Sequence, residues 1–404
     1  MVLYVYFIAS NFASLFKLIL IKVMQKILYF AIATLVLTTS CKKEGCTDET
    51  ALNYDGKAKK DDNSCIYAEE PTTYTIPTSY AFTDASGNNT VNYSGQTERL
   101  DQLSEMVIKM KLGTTEAVSA QELKDMFANV GGNGNGNFSF LSTKQLKDKC
   151  FTIDQGLFEQ WMDSISIASQ NFSTIAMNGQ AGVITSGSSS YLVNRNGIEY
   201  LQLIEKGLMG AVFMHQALNH YFADAQMTVN NTTAVDASSG KYYTQMEHHW
   251  DEAFGYFGVP IDFPSTASNR FWGKYCIAQN AILGSNAVMM NNLLKGRAAI
   301  SNEVYADRDA AIQSIRTMWE NICARQAITY LEEAIANFGN DNAKYLHALS
   351  EAYAFSRNLR YAPDTTRRMS QTEVNNLINL FGDNFWNLTN SDLNTIKTEL
   401  ESKY

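Results

Sequence analysis

The stretch NGIEYLQLIEKGLMGAVFMHQALNHYFADAQM, residues 196–227, decides the fold. Read as a helix it is apolar on most sides through Leu208, Val212, Leu218 and Phe222. A helix that is hydrophobic all round must be covered all round, so this segment belongs at the centre of a bundle. The pattern around it agrees. Helical periodicity recurs at 155–178, 241–256, 272–297, 301–338, 341–358 and 370–381, with a short helix at the C-terminus. Towards the N-terminus, Leu100, Leu103, Val107 and Met110 repeat at helical spacing, and Ser119-Ala120-Gln121-Glu122 is a capping box opening a helix that stops at Gly131. Helices of this length on short connections pack as up-and-down bundles. No strand-rich segment and no repeat of fixed period stands out, so the expected class is all-α.

Composition supports a packed globule. The chain has 404 residues, 45% of them apolar and 12% aromatic, and only 5 prolines, which suits long helices rather than many short strands. The net charge of −9, from 41 acidic against 32 basic residues, comes with no basic run long enough to follow a phosphate backbone. Nucleic acid is therefore excluded as an expected partner.

The N-terminus gives the address. Apolar runs extend from Val2 to Val23 and from Ile27 to Thr39, separated by Met24-Gln25-Lys26. The second run, with its charged Lys26 and the small residues Thr38-Thr39-Ser40 before Cys41, has the build of a lipoprotein signal peptide. It is shorter than the ~20 apolar residues of a spanning helix, which disfavours a plain transmembrane anchor. Cys41 is the expected lipidation site and first mature residue, and residues 1–23 an upstream extension from a start codon before Met24.

After it come Gly45-Cys46-Thr47-Asp48-Glu49-Thr50-Ala51-Leu52-Asn53-Tyr54-Asp55 and Asp61-Asp62-Asn63-Ser64-Cys65-Ile66-Tyr67. These segments resemble a small module frequent in exported Bacteroidota proteins. The resemblance implies a Cys46–Cys65 disulfide, which constrains a loop of this length by roughly 3 kcal/mol and belongs in an oxidising compartment. Asp48, Asn53, Asp55, Asp61 and Asp62 are hard oxygen donors at loop spacing. They fit either weak Ca²⁺ binding or a solvated spacer. Cys150, Cys276 and Cys323 sit in apolar helical contexts and read as buried thiols. Residues 71–96, rich in Thr, Ser, Asn, Gly and Tyr, read as a linker. The expected organisation is thus leader 1–40, module 41–70, linker 71–96 and helical domain 97–404.

Candidate chemistry lies with histidine. All 5 histidines fall in expected helices. In Glu247-His248-His249-Trp250-Asp251-Glu252, a histidine and Glu252 share a face at three- and four-residue spacing, and Glu247 shares another with Asp251. His347 and Glu351 repeat the one-turn spacing. Two helices each offering a histidine and a carboxylate can hold a transition metal in a bundle interior. Ordinary hydrogen-bonded pairs have the same spacing, and both readings stand. His215 and His220, about 140° apart round a helix, cannot chelate together, and His215 reads as a bundle-lining residue. The glycine-rich tract 131–137 lacks the Lys-Ser/Thr ending of a phosphate loop.

His249-Trp250-Asp251-Glu252, followed by the aromatic-glycine ending Phe257-Gly258, resembles the G-x-H-x-x-E motif of imelysin-like proteins, with Glu247 at the motif's glycine position. The region from about Tyr74 onward looks like an uncharacterised Bacteroidota lipoprotein family with a remote imelysin link. The resemblance implies a pair of four-helix bundles, a metal site at His249 and Glu252, and a place in iron uptake at the cell envelope. One histidine and one glutamate fall short of the three protein ligands of a hydrolytic zinc site, so the expected function is non-catalytic binding of iron, zinc or haem. His248, Glu247 or the His347/Glu351 pair would assist, with the outer membrane and an iron or haem transport system as partners. A metal-dependent peptidase and a structural or adhesion lipoprotein are the alternatives.

Overall fold

The fold is that of a computed structural model, which describes residues 43–61, 64–66, 73–265 and 267–404. The leader, Cys41 and Asp62 lie outside the described residues. The chain divides into two compact units, one ending at Thr73 and one spanning Tyr74–Tyr404.

In the first unit Cys46 is bonded to Cys65. Asn53 closes the module from both ends of its amide: Nδ2 donates to the Ser64 carbonyl and Oδ1 accepts from Ile66 N–H at 2.6 Å. Asp55 pairs with Lys43 and accepts from Lys57 N–H at 3.0 Å, and Asp48 accepts from Thr50 N–H at 2.9 Å. These oxygens, candidates for Ca²⁺, are used in holding turns.

The second unit is mostly helical. Its elements are α1 (Ser94–Lys111), α2 (Ala120–Phe127), α3 (Gln155–Ser169), β1 (Gly182–Ser186), β2 (Ser189–Val193), α4 (Tyr200–Leu208), α5 (Asp224–Met227), β3 (Ala234–Asp236), β4 (Lys241–Thr244), α6 (Gln245–Phe257), α7 (Trp272–Leu283), α8 (Ser285–Ser301), α9 (Tyr305–Asn337), α10 (Asn342–Asn358), α11 (Gln371–Asn379) and α12 (Asn390–Glu401). The 33-residue α9 packs against both α8 and α10, and α10 packs along α4. Trp250, Trp272 and Trp319 are fully buried between these layers. Cys150, Cys276 and Cys323 are buried free thiols, as the sequence implies.

The central segment does lie in the core, but it is not a uniform α-helix. Beyond Leu208 it widens into π winding over Met209–Met214 and Gln216–Tyr221. Donors from neighbouring elements compete for its carbonyls. Asn358 Nδ2 donates to Lys206 O at 2.8 Å, Trp272 Nε1 to Met209 O at 2.9 Å, Phe151 N–H to Ala211 O at 2.9 Å and Arg316 to Leu218 O at 3.1 Å. Groups inserted beside the helical ladder are a known cause of such local rewinding. The close approach of Asn358 needs Gly210, where an added Cβ would come within 2.1 Å of the Asn358 amide oxygen.

Other boundaries differ from expectation. The helix read at 155–178 ends at Ser169, and two antiparallel hairpins, β1–β2 and β3–β4, join the all-α body. The helix read at 272–297 breaks at Gly284, whose φ of 62° ends α7 in the left-handed conformation. Residues 74–93 are not a linker. Tyr74 donates to Asp307 at 2.8 Å, and Tyr80 is buried, its ring stacked on Phe254.

Candidate functional site

Helix α6 carries the densest group of candidate residues, and the tertiary structure sends them three ways. Thr244 and Glu247 form a capping box at its start. Glu247 Oε1 then accepts from Arg297 Nη1 and from Ser301 Oγ, each at 2.7 Å. Asp251 accepts from Arg297 Nε at 3.0 Å, from the Tyr80 hydroxyl at 2.8 Å and from Asn92 N–H at 3.0 Å. Arg297 is fully buried. Burial pushes the Asp251 carboxyl up to about 6, against the pull of Arg297. Burial also acts on Glu247, but Arg297 and the cap bonds outweigh it and lower its pKa. Glu247 is therefore a scaffold residue tying α6 to α8, with its carboxylate committed, and does not assist His249.

The next face holds the histidines. His248 Nδ1 lies 3.0 Å from the Asn92 carbonyl and His249 Nδ1 3.1 Å from that of Gln226. A carbonyl only accepts, so in neutral rings the proton is on Nδ1 and Nε2 keeps its lone pair. Glu252 Oε1 is 4.0 Å from His248 Nε2 and accepts from Gln96 Nε2 at 2.9 Å and the Tyr221 hydroxyl at 3.1 Å. His220 packs on Tyr221, which lies 6.2 Å from the His249 ring. Burial lowers the pKa of His248 and His220, and that of His215 to about 4. His220, His248 and His249 thus share one region, while His215 stands against Phe151 and Tyr361. Yet among the described residues no three His, Cys, Asp or Glu side chains converge in a metal-holding group.

His347 and Glu351 lie elsewhere, on a wall of a cavity of about 520 Å³ bounded by the end of α1, α3, β2, α4 and α10. The volume suits a small-molecule ligand. Glu199, Gln202 and Lys206 project from one face at the start of α4, at spacings of three and four residues. Opposite them α10 presents His347 and Glu351, one turn apart. His347 Nδ1 is 2.6 Å from Glu199 Oε2, and Nε2 faces Glu351 Oε2 at 3.4 Å. Lys206 Nζ sits 3.5 Å from Glu351 and 3.0 Å from Glu205. The Tyr191 ring, from β2, stacks on His347 at 4.3 Å.

The electrostatics follow from this enclosure. Burial disfavours charge on His347, but the bonded Glu199 and nearby Glu351 overcome it and raise its pKa. Burial raises the Glu351 pKa despite Lys206 and His347. Burial likewise opposes the Lys206 charge, and Glu205 and Glu351 more than compensate. With a carboxylate at each nitrogen, the protonated form of His347 is favoured, and in that form neither nitrogen keeps the lone pair that a metal or a general base requires. Gln202, 6% exposed, donates from Nε2 to Glu199 at 3.1 Å, while its Oε1 has no partner.

The sequence reading found His347 and Glu351 but missed Glu199, Gln202, Glu205 and Lys206. A signal existed. Polar residues at positions 199, 202, 205 and 206 interrupt the otherwise apolar stretch from 198 to 214, and such residues are buried only where something polar faces them.

No curated protein and no solved structure matches the chain. A family model described as a domain of unknown function (DUF4856) matches residues 77–404, beginning close to where the second unit starts. Because that match takes in the greater part of the sequence, the chain belongs to the DUF4856 family.

Proposed function

We propose that this protein is a non-catalytic binding protein, exported and held to the envelope by a lipid on Cys41, that seats a small polar ligand in the cavity around His347. One observation carries the reading: Glu199, Gln202, Lys206 and Glu351 are all buried, yet they line an open volume. Buried ion pairs contribute little net stability compared with well-packed apolar residues. Recognition gives a reason for them that stability does not. Binding is favoured over turnover because both His347 nitrogens are directed at carboxylates and not at the Ser188, Ser190 or Thr114 hydroxyls that line the same cavity. Export rests on the leader and on the Cys46–Cys65 bond, which persists in oxidising compartments.

A second reading, iron, zinc or haem at His249 and Glu252, keeps one argument in its favour. His248 and His249 are each held through Nδ1 by a backbone carbonyl, the arrangement that orients Nε2 towards a metal.

Thermal unfolding of the mature protein against a panel of small polar metabolites, with Fe, Zn and haem as separate arms, tests both. The expected result is stabilisation by a polar metabolite that is lost in His347→Gln and kept in His249→Ala. Stabilisation by a metal or haem alone, lost in His249→Ala, would replace the first reading with the second.

A further inference from the structure

The charges that line the cavity around His347 neutralise one another in a row. Glu199 meets His347 Nδ1 at 2.6 Å, His347 Nε2 meets Glu351 at 3.4 Å, Glu351 meets Lys206 at 3.5 Å and Lys206 meets Glu205 at 3.0 Å. The sign alternates at every step. Lys111 is the one further charged residue of the lining and is exposed. With His347 protonated, as its surroundings favour, acidic and basic groups balance at three each. An entering ion would lose its hydration and meet no uncompensated charge in return. Hydroxyl groups fare better. An ionised carboxylate offers about four lone-pair sites, and the pairs above do not use them all, so Glu199, Glu205 and Glu351 keep acceptor sites for ligand O–H groups. Ser188 and Ser190 add exposed hydroxyls, and Met110, Ile165, Leu192 and Leu201 give the same lining apolar surface.

We infer that the ligand is a neutral carbohydrate, a mono- or disaccharide, held through its hydroxyls by the carboxylate row and through its C–H faces by the apolar lining. The inference rests on the binding reading above and names its ligand class. A sugar ring presents both kinds of surface. Each of its hydroxyls is donor and acceptor at once, and two neighbouring hydroxyls can donate together to the two oxygens of one carboxylate. Hydrogen bonds to an ionised acceptor are roughly twice as strong as those between neutral groups. A balanced row of ions, which adds little to stability, therefore grips an uncharged ligand well. The cavity volume of about 520 Å³ lies within the range of small-molecule sites. No covalent bond is made or broken.

The test is calorimetric titration of the mature protein with glucose, galactose, mannose, N-acetylglucosamine, maltose and cellobiose, followed by the uronate and 2-amino-2-deoxy counterparts of the tightest binder. The expected result is binding of a neutral sugar, with both charged counterparts weaker by about tenfold or more because each must be desolvated against an already balanced row. The neutral sugar's affinity should change less than about twofold between roughly 0.01 M and 0.1 M salt, over which the Debye length falls from about 30 Å to about 10 Å. Glu199→Gln should weaken binding about tenfold by removing a charged acceptor. Ser190→Trp, at an exposed position of the lining where folding is not at stake, should abolish it by bulk alone. No binding by any of the neutral sugars, equal or tighter binding of a charged counterpart, a steep salt dependence, or unchanged binding in Ser190→Trp would overturn the inference. If the sugars fail while another polar molecule shows His347-dependent binding, the carbohydrate falls and the binding function stands. If no small molecule depends on His347, both fall.

Discussion

Three neighbouring side chains on α6 show how little spacing alone fixes a residue's role. Glu247, His248 and His249 are consecutive, yet one meets a buried guanidinium, one a tyrosine ring and Glu252, and one the backbone of Gln226. The sequence showed that Glu247 and Asp251 share a face. It did not show that Arg297 fills the space between them, because that residue arrives from α8. Arg297 also donates to the Thr90 carbonyl and hydroxyl at 3.1 Å. Removing it would strand two buried carboxylates, and breaking such a group costs about 3–5 kcal/mol. Arg297→Met should therefore lower the free energy of unfolding by about that amount in urea denaturation. A loss below about 1 kcal/mol would mean that the ionic cluster is relieved by water or by protonation of Asp251.

At the scale of elements, the central helix combines what was legible and what was not. Its burial followed from its composition. Its π winding did not, since the donors that compete for its carbonyls come from residues as distant in sequence as Phe151, Trp272, Arg316 and Asn358. The Asn358–Gly210 contact makes this testable. Gly210→Ala drives a methyl into the Asn358 side chain and should cost about 1–3 kcal/mol. Asn358→Ala removes one of two donors to Lys206 O, which keeps the Met209 N–H, and should cost about 0.5–1.5 kcal/mol. In the double variant the methyl has room and the segment is free to rewind as α-helix. Its loss should be smaller than the sum of the two by about 1 kcal/mol or more, with matching changes in amide exchange across Lys206–Met214. Strict additivity would show that the contact does not set the winding. The β1–β2 hairpin was missed for a different reason: the Gly-Ser-rich turn around Gly187 broke helical periodicity, while its two flanking strands are only five residues each.

For the whole molecule, the cysteines report on both address and fold. Two of the six are bonded to each other and three are buried thiols in the helical unit, which leaves Cys41. If Cys41 carries a thioether-linked lipid, denatured and unreduced mature protein should titrate as three thiols and partition with membranes, and Cys41→Ala should release it to the soluble fraction. A fourth thiol in the wild-type mature protein would refute the anchor.

Periodicity by itself determined that the body is helical and that residues 196–227 are its buried centre, because 3.6-residue spacing records which faces avoid water. Local chemistry likewise marked the Ser119 N-cap of α2 and the buried state of the other thiols, and a resemblance implied the Cys46–Cys65 bond. What only the tertiary structure decided is which faces meet. Glu199 and His347 are 148 positions apart and touch because α4 and α10 lie side by side. The spacing of His347 and Glu351 named a face and left open whether it would turn to a metal, a core or a cavity. That choice depends on the opposing helix, and Glu199 and Lys206 made it by supplying the charges that turn a histidine-carboxylate pair into the wall of a polar cavity.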